Sequence, residues 1–179
     1  MTSYVALLRG INVGGARTLP MPALAELFEE AGCTSVRTYI QSGNVVFAAD
    51  DELGDNFRQH VAEAIERRFS MQVPIVLRTA QEMADAVGNN PFLAEGGDEK
   101  ALHVAFLGDT PSADAIASLD ADRSPPDRFA VIGRDIYLHL PNGVARTKLT
   151  NAYFDSKLKT VSTLRNWRTV LTLLEMASQ

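Results

Sequence analysis

A single cysteine, Cys33, stands in a chain of 179 residues, so no disulfide can form within it. The three histidines, His60, His103 and His139, are scattered without ligand spacing, and together these shortages argue against a structural metal site. No apolar stretch approaches the ~20 residues that span a bilayer. The N-terminus enters an apolar run without a basic region or a small-residue cleavage site, so no membrane association and a cytoplasmic location are expected. Positive charge is short as well: a net charge of −5 weakens the picture of a general nucleic-acid binder, whose affinity depends on neutralising phosphates. The aromatic strand pattern of RNA-reading sheets is absent too, Gly43 to Ala49 being a poor substitute. No Ser/His/Asp or Cys/His order and no distinctive carboxylate pair anchors nucleophilic or acid–base catalysis.

What is present is an ordinary globular composition, 46% apolar and 22% charged, enough for one good-sized core or two small ones. The first half alternates between element types. A strand from Tyr4 to Arg9 leads to a helix opening near Pro22 and stopping at Gly32. Strands over Val36 to Gln41 and Asn44 to Ala48 are joined at Ser42-Gly43 as a hairpin. A helix from Leu53 to Phe69 carries Phe57, Val61, Ala64, Ile65 and Phe69 at helical spacing, and a strand follows at Val73 to Arg78. This β-α-β-β-α-β order predicts a ferredoxin-like unit with spatial strand order 4-1-3-2. Pro74 agrees, because a proline in the fourth strand belongs on a sheet edge.

After a helix at Ala80 to Val87, the Gly- and Asn-rich segment 88–99 reads as a linker between subdomains 1–87 and 100–179. The second half repeats strand (Leu102 to Leu107), helix (Ser112 to Leu119) and hairpin (Arg128 to Ile132, Ile136 to Leu140). It then closes with two predicted helices, Thr147 to Lys159 and Thr163 to Ala177. The class predicted is α+β, a ferredoxin-like unit followed by a degenerate β-α-β-β-α-α unit, as two antiparallel sheets with packed helices.

The loop Arg9 to Gly15, read Arg-Gly-Ile-Asn-Val-Gly-Gly, brings glycines and an arginine to the end of the first strand, where bare N–H groups can approach an anion. Gly10 and Gly15 have the Walker A separation, but Ala16 and Arg17 replace its Lys and Ser/Thr. In the predicted topology this loop and the Gln41 to Asn44 turn share one end of the sheet. From Pro141 onward six basic residues stand against two acidic ones, so that stretch carries +4 and the remainder −9. Arg165, read in the first turn of the last helix, opposes the helix dipole unless an anion binds there. The expected ligand-binding residues are therefore Arg9, Asn12, Gly14, Gly15, Tyr39, Gln41, Ser42 and Asn44 from the first half and Arg146, Lys148 and Arg165 from the second. The ligand expected in such a composite site between the halves is a phosphorylated metabolite or nucleotide. A nucleic-acid-binding module and a protein-interaction or dimerisation domain are the alternatives, and no cofactor, catalytic residue or oligomeric state is indicated.

Several blocks of the chain, Arg9 to Gly15, Tyr39 to Phe47, Asn90-Pro91-Phe92, Tyr137 to Gly143 with Lys148-Leu149, and Arg165-Asn166-Trp167, resemble the bacterial proteins called domain of unknown function 1697. Ala145, Thr147 and Leu164 depart from that family's usual residues. The resemblance implies a family without an established activity, and so neither a reaction nor a cofactor.

Overall fold

The computed structural model describes residues 1–15, 18–50, 53 and 55–179. Among these, eight strands form two four-stranded antiparallel sheets accompanied by six α-helices. They divide into two compact units, 1–84 with 173–179 and 85–172.

In the first unit β1 (Thr2–Leu8), β2 (Thr34–Tyr39), β3 (Asn44–Ala49) and β4 (Ile75–Thr79) lie in the order β2-β3-β1-β4, as a ferredoxin-like unit requires. Pro74 stands just before the edge strand β4, where its missing N–H costs no ladder bond, and its carbonyl accepts from Arg9 N at 3.1 Å. Alternation sends Tyr4, Ala6 and Leu8 of β1 into one core with Val45 and Phe47 of β3. Leu24 and Phe28 of α1 (Met21–Glu30) and Val61 and Ile65 of α2 (Asp55–Phe69) complete it. The residues between them, Val5, Leu7, Val46, Val76 and Arg78, are buried too, which is why β1 reads as an unbroken apolar run. From β2, Arg37 donates to Met176 O and to Gln179 Oε1, within the same unit.

The chain passes to the second unit within α3 (Ala80–Gly88), whose start is a reciprocal capping box. Glu82 N donates to Thr79 Oγ1 and Thr79 N to Glu82 Oε2. There β5 (Leu102–Leu107), β6 (Arg128–Ile132), β7 (Asp135–His139) and β8 (Ser162–Asn166) lie in the order β6-β7-β5-β8, the same topology. Ala105, Leu107, Ile136 and Leu138 pack with Phe154 and Leu158 of α5 (Asn151–Leu158). Ser112 caps the short α4 (Ala113–Ala117) by accepting from Ala115 N.

One element departs from the sequence-based expectation. The segment read as the opening of the last helix is strand β8, so the second unit is a complete β-α-β-β-α-β rather than a repeat lacking its last strand. The helix after it, α6, covers Trp167–Ala177, and α5 begins at Asn151 rather than Thr147. Its cap is Asn166, whose Oδ1 accepts from Thr169 N at 2.9 Å. Lys159, in the left-handed region at φ 58°, ends α5 and frees the chain to extend.

With β8 in place, the two units match in register. Val5 faces Arg78 and Ala6 faces Leu77 in the first, while Val104 faces Arg165 and Ala105 faces Leu164 in the second. Each arginine is buried and turns its Nη1 back to the carbonyl of the preceding leucine, at 3.0 and 2.9 Å. Each is then followed by a residue, Thr79 or Asn166, that caps the next helix.

Candidate functional site

At one end of the first sheet the glycine-rich loop and the hairpin turn meet, as the topology predicted. Leu8 N donates to Gly43 O at 2.8 Å. Asn12, itself at φ 53°, ties the loop together. Its Oδ1 accepts from Leu19 N at 2.7 Å, and its Nδ2 donates to Leu19 O and to Gln41 O at 2.9 and 2.8 Å. Asn44, fully buried, donates to Tyr39 O and to Ser42 Oγ. Both asparagine amides are thus engaged in shaping turns. Gly14 and Gly15, at φ 64° and 72°, present open backbone, and Arg9 and Tyr39 are half-buried beside an exposed Gln41. Arg17 and Ala16, which distinguish the loop from Walker A, lie outside the described residues.

The basic residues of the second unit occupy different settings. Arg146 and Lys148 are exposed in the loop before α5, where Lys148 N donates to Ser124 Oγ. Arg165 is not in a helical first turn. It lies in β8, 8% exposed, with Nη1 donating to Thr163 Oγ1 at 2.8 Å, and burial pulls its pKa down to about 10. A dipole argument for an anion at Arg165 therefore falls away, because the residue precedes the helix and its guanidinium already serves backbone and side-chain oxygens.

The start of α6 borders something else. A cavity of about 560 Å³ lies between the Asp98 to Lys100 turn, β5 and the head of this eleven-residue helix, with Lys100, His103, Asn166, Arg168 and Leu171 among its walls. His103 and Asn166 are cross-strand partners on β5 and β8. The histidine is 7% exposed, and its Nδ1 lies 3.3 Å from Ala101 O. A carbonyl only accepts, so Nδ1 carries the proton and Nε2 the lone pair. Among the described residues Nε2 has no partner, and neither the Lys100 ammonium nor the Arg168 guanidinium has an ion-pair partner. The walls also include Asp98 and Glu99, but Asp98 Oδ1 is occupied in accepting from Lys100 N.

Burial lowers the pKa of His103 below its ordinary 6.5. The native state then binds its proton less readily than the unfolded chain, so stability rises with pH. This contribution is complete above about pH 6.5 and is lost as pH falls from there toward the depressed native value. A His103→Asn variant, whose amide can still reach Ala101 O, is expected to show a flatter thermal midpoint between about pH 7 and 5 than the parent. Equal slopes in the two proteins would mean that His103 contributes nothing to the pH dependence of stability.

Other routes to chemistry are less well furnished. Cys33 is buried, and desolvation pushes its thiol up to about 11, away from the reactive thiolate. Among the described residues no group of three His, Cys, Asp or Glu side chains is placed to hold a metal ion, and no helix is long and apolar enough to cross a membrane.

Arg165-Asn166-Trp167 stands out as a block in the sequence, whereas Lys100, His103 and Arg168 do not stand out there as site residues. The signal available was His103 near the start of a strand, and it becomes informative only once Asn166 is known to lie opposite on β8.

The family described as protein of unknown function (DUF1697) matches residues 1–137. The conserved bacterial protein SP0830 from Streptococcus pneumoniae has a similar structure, with a TM-score of 0.75 and 21% identity over 100% of this chain and 99% of that one, a likeness of fold. No curated protein matches.

Proposed function

We propose, from the premise that the chain belongs to the DUF1697 family, that it binds a small anionic metabolite, a phosphorylated one with a hydroxyl or amine donor, at the head of α6. The observation that carries this reading is His103. A histidine more than nine-tenths sheltered lines this cavity together with two cations, and among the described residues neither its Nε2 nor either cation has a side-chain partner. Lys100 and Arg168 supply charge, the first turn of α6 supplies N–H groups and a favourable dipole, and Nε2 accepts from the ligand's donor. A cavity of about 560 Å³ suits a small metabolite. Because Asp98 and Glu99 balance the two cations, the pocket selects by placement of charge rather than by a strong field.

The test is thermal stabilisation and calorimetric binding with phosphate, sulfate, sugar phosphates and a nucleotide panel. Arg168→Ala is expected to weaken the best ligand at least tenfold, and His103→Asn to weaken ligands that carry a donor more than those that lack one. If no compound stabilises the protein, or if both variants bind as the parent does, the reading fails.

A second seat for the same chemistry is the Arg9 to Gly15 loop with Tyr39, Gln41 and Ser42, favoured by the consecutive left-handed glycines that turn backbone toward solvent. Loss of binding in Arg9→Ala but not in Arg168→Ala would place the ligand there. RNA binding that falls steeply with salt would instead favour the nucleic-acid alternative, against which the net charge of −5 argues.

A further inference from the structure

Leu102 faces His139 across the β5–β7 ladder while His103 faces Leu138, so alternation puts the two histidines on opposite faces of the second sheet. On the His139 face lies a separate cavity of about 400 Å³ walled by Phe92, Glu95, Leu102, Arg128 and His139. Arg128, opposite His139 on β6, lays its guanidinium over the Phe92 ring, 5.0 Å from the centroid, and the His139 ring lies 6.0 Å from the same centroid. Stacking fixes the plane of the guanidinium. Its two terminal nitrogens then grip Glu95 in a bidentate pair, Nη1 to Oε1 and Nη2 to Oε2.

We propose that this Arg128 fork is a receptor for an external monocarboxylate with an apolar or aromatic body, and that Glu95 occupies it as an internal stand-in. The pair is poorly defended. Both side chains are about half exposed, 51% and 49%, and exposed pairs of this kind add little to stability. Glu95 ends a single 3₁₀ turn, Leu93–Glu95, and the chain then runs into Gly96-Gly97, with Gly96 at φ 64°. Glu95 thus lies outside both strands and ahead of two conformationally permissive residues, so its side chain can withdraw without disturbing either strand. A planar carboxylate reproduces the two parallel bonds Glu95 makes, and Phe92 and Leu102 offer its body an apolar wall. The acids in the cavity wall set the charge of the ligand. Asp98 and Glu99 remain after Glu95 leaves, so a single negative charge restores the present balance while a phosphate dianion exceeds it.

Benzoate is the probe, titrated calorimetrically and by NMR against the full chain and its Glu95→Gln variant. Glu95→Gln is expected to bind benzoate about two- to fivefold more tightly than the parent, because the competitor has lost its charge and an exposed pair holds the fork by no more than that. Adding Arg128→Gln to that background is expected to abolish the gain. Arg128→Lys, which keeps the charge and loses the fork, is expected to abolish most of it, so the conclusion survives if the first double variant fails to fold. An unchanged benzoate affinity in Glu95→Gln overturns the proposal, as does a gain that persists without the Arg128 fork. An equal gain for inorganic phosphate overturns the assignment to a monocarboxylate. Asp98 and Glu99 border both cavities, but none of these outcomes depends on Lys100 or Arg168, so failure here is distinguishable from failure of the site at α6.

Discussion

Replacing Phe47 by alanine is expected to cost the first unit about 3–5 kcal/mol. Phe47 is 1% exposed at the centre of β3, and three aromatic rings meet it from different elements. Tyr4 of β1 stacks on it at 5.6 Å, Phe28 of α1 tilts against it at 5.1 Å, and Phe57 of α2 stacks at 5.6 Å. The ring is therefore the common neighbour of a strand and both helices on that face of the sheet. Truncation removes its burial and leaves a void that close-packed neighbours on three elements cannot all move to fill. For a chain of this size the thermal midpoint of the transition is expected to fall by roughly 6–20 °C. Phe47→Leu, which keeps most of the volume, is expected to lose well under half as much. A denaturant titration giving less than about 1 kcal/mol for Phe47→Ala would show that the aromatic cluster is not the keystone of this core.

The second large effect is expected from adding one methyl group at the hairpin turn. Gly43 sits at φ 88°, in the left-handed region, and a Cβ built on it would come 2.8 Å from Leu8 Cβ and 2.8 Å from Ile11 Cδ1. The tip of Ile11 can rotate away, but Leu8 Cβ is fixed to its backbone. That backbone is in turn pinned to Gly43 by the 2.8 Å bond from Leu8 N. Gly43→Ala thus combines a backbone penalty of about 1 kcal/mol with overpacking of roughly 1–3 kcal/mol. Gly133, at φ 60° with open space around its missing Cβ, is the matched control and should show the backbone penalty alone. Equal losses in the two variants would mean that the loop and the turn yield easily to one another. That result would also weaken the case for the Arg9 to Gly15 loop as a rigid ligand platform.

Much of the architecture could be read from residue pattern because it rests on local signals. The apolar run of β1, the hairpin joined at Ser42-Gly43, the helical spacing in α2 and the placement of Pro74 were enough for the strand order of the first unit. The meeting of the loop with the hairpin turn followed from that order. β8 was hidden for a physical reason. Leu164, Trp167, Leu171 and Leu174 recur at helical spacing, so the strand's apolar residue falls in step with the helix that follows it. The true boundary is set by Asn166 capping α6, a contact indistinguishable by composition from any other polar residue near a helix start. The candidate site inherited the same obscurity. His103, Lys100 and Arg168 converge only because β8 lies beside β5 and hands the chain directly to α6. Asn12 and Asn44, expected to line a ligand site, have a structural part that the sequence did not show: their amides satisfy backbone groups that the two turns leave over.

The bonds from Arg37 to Met176 and Gln179 have a bearing on how the protein is made. Residues 173–179 belong with 1–84, yet the ribosome reaches them only after it has synthesised the whole of 85–172. The unit whose translation begins first is thus the one that is finished last, and until then Arg37 must wait on the edge strand β2 without these partners.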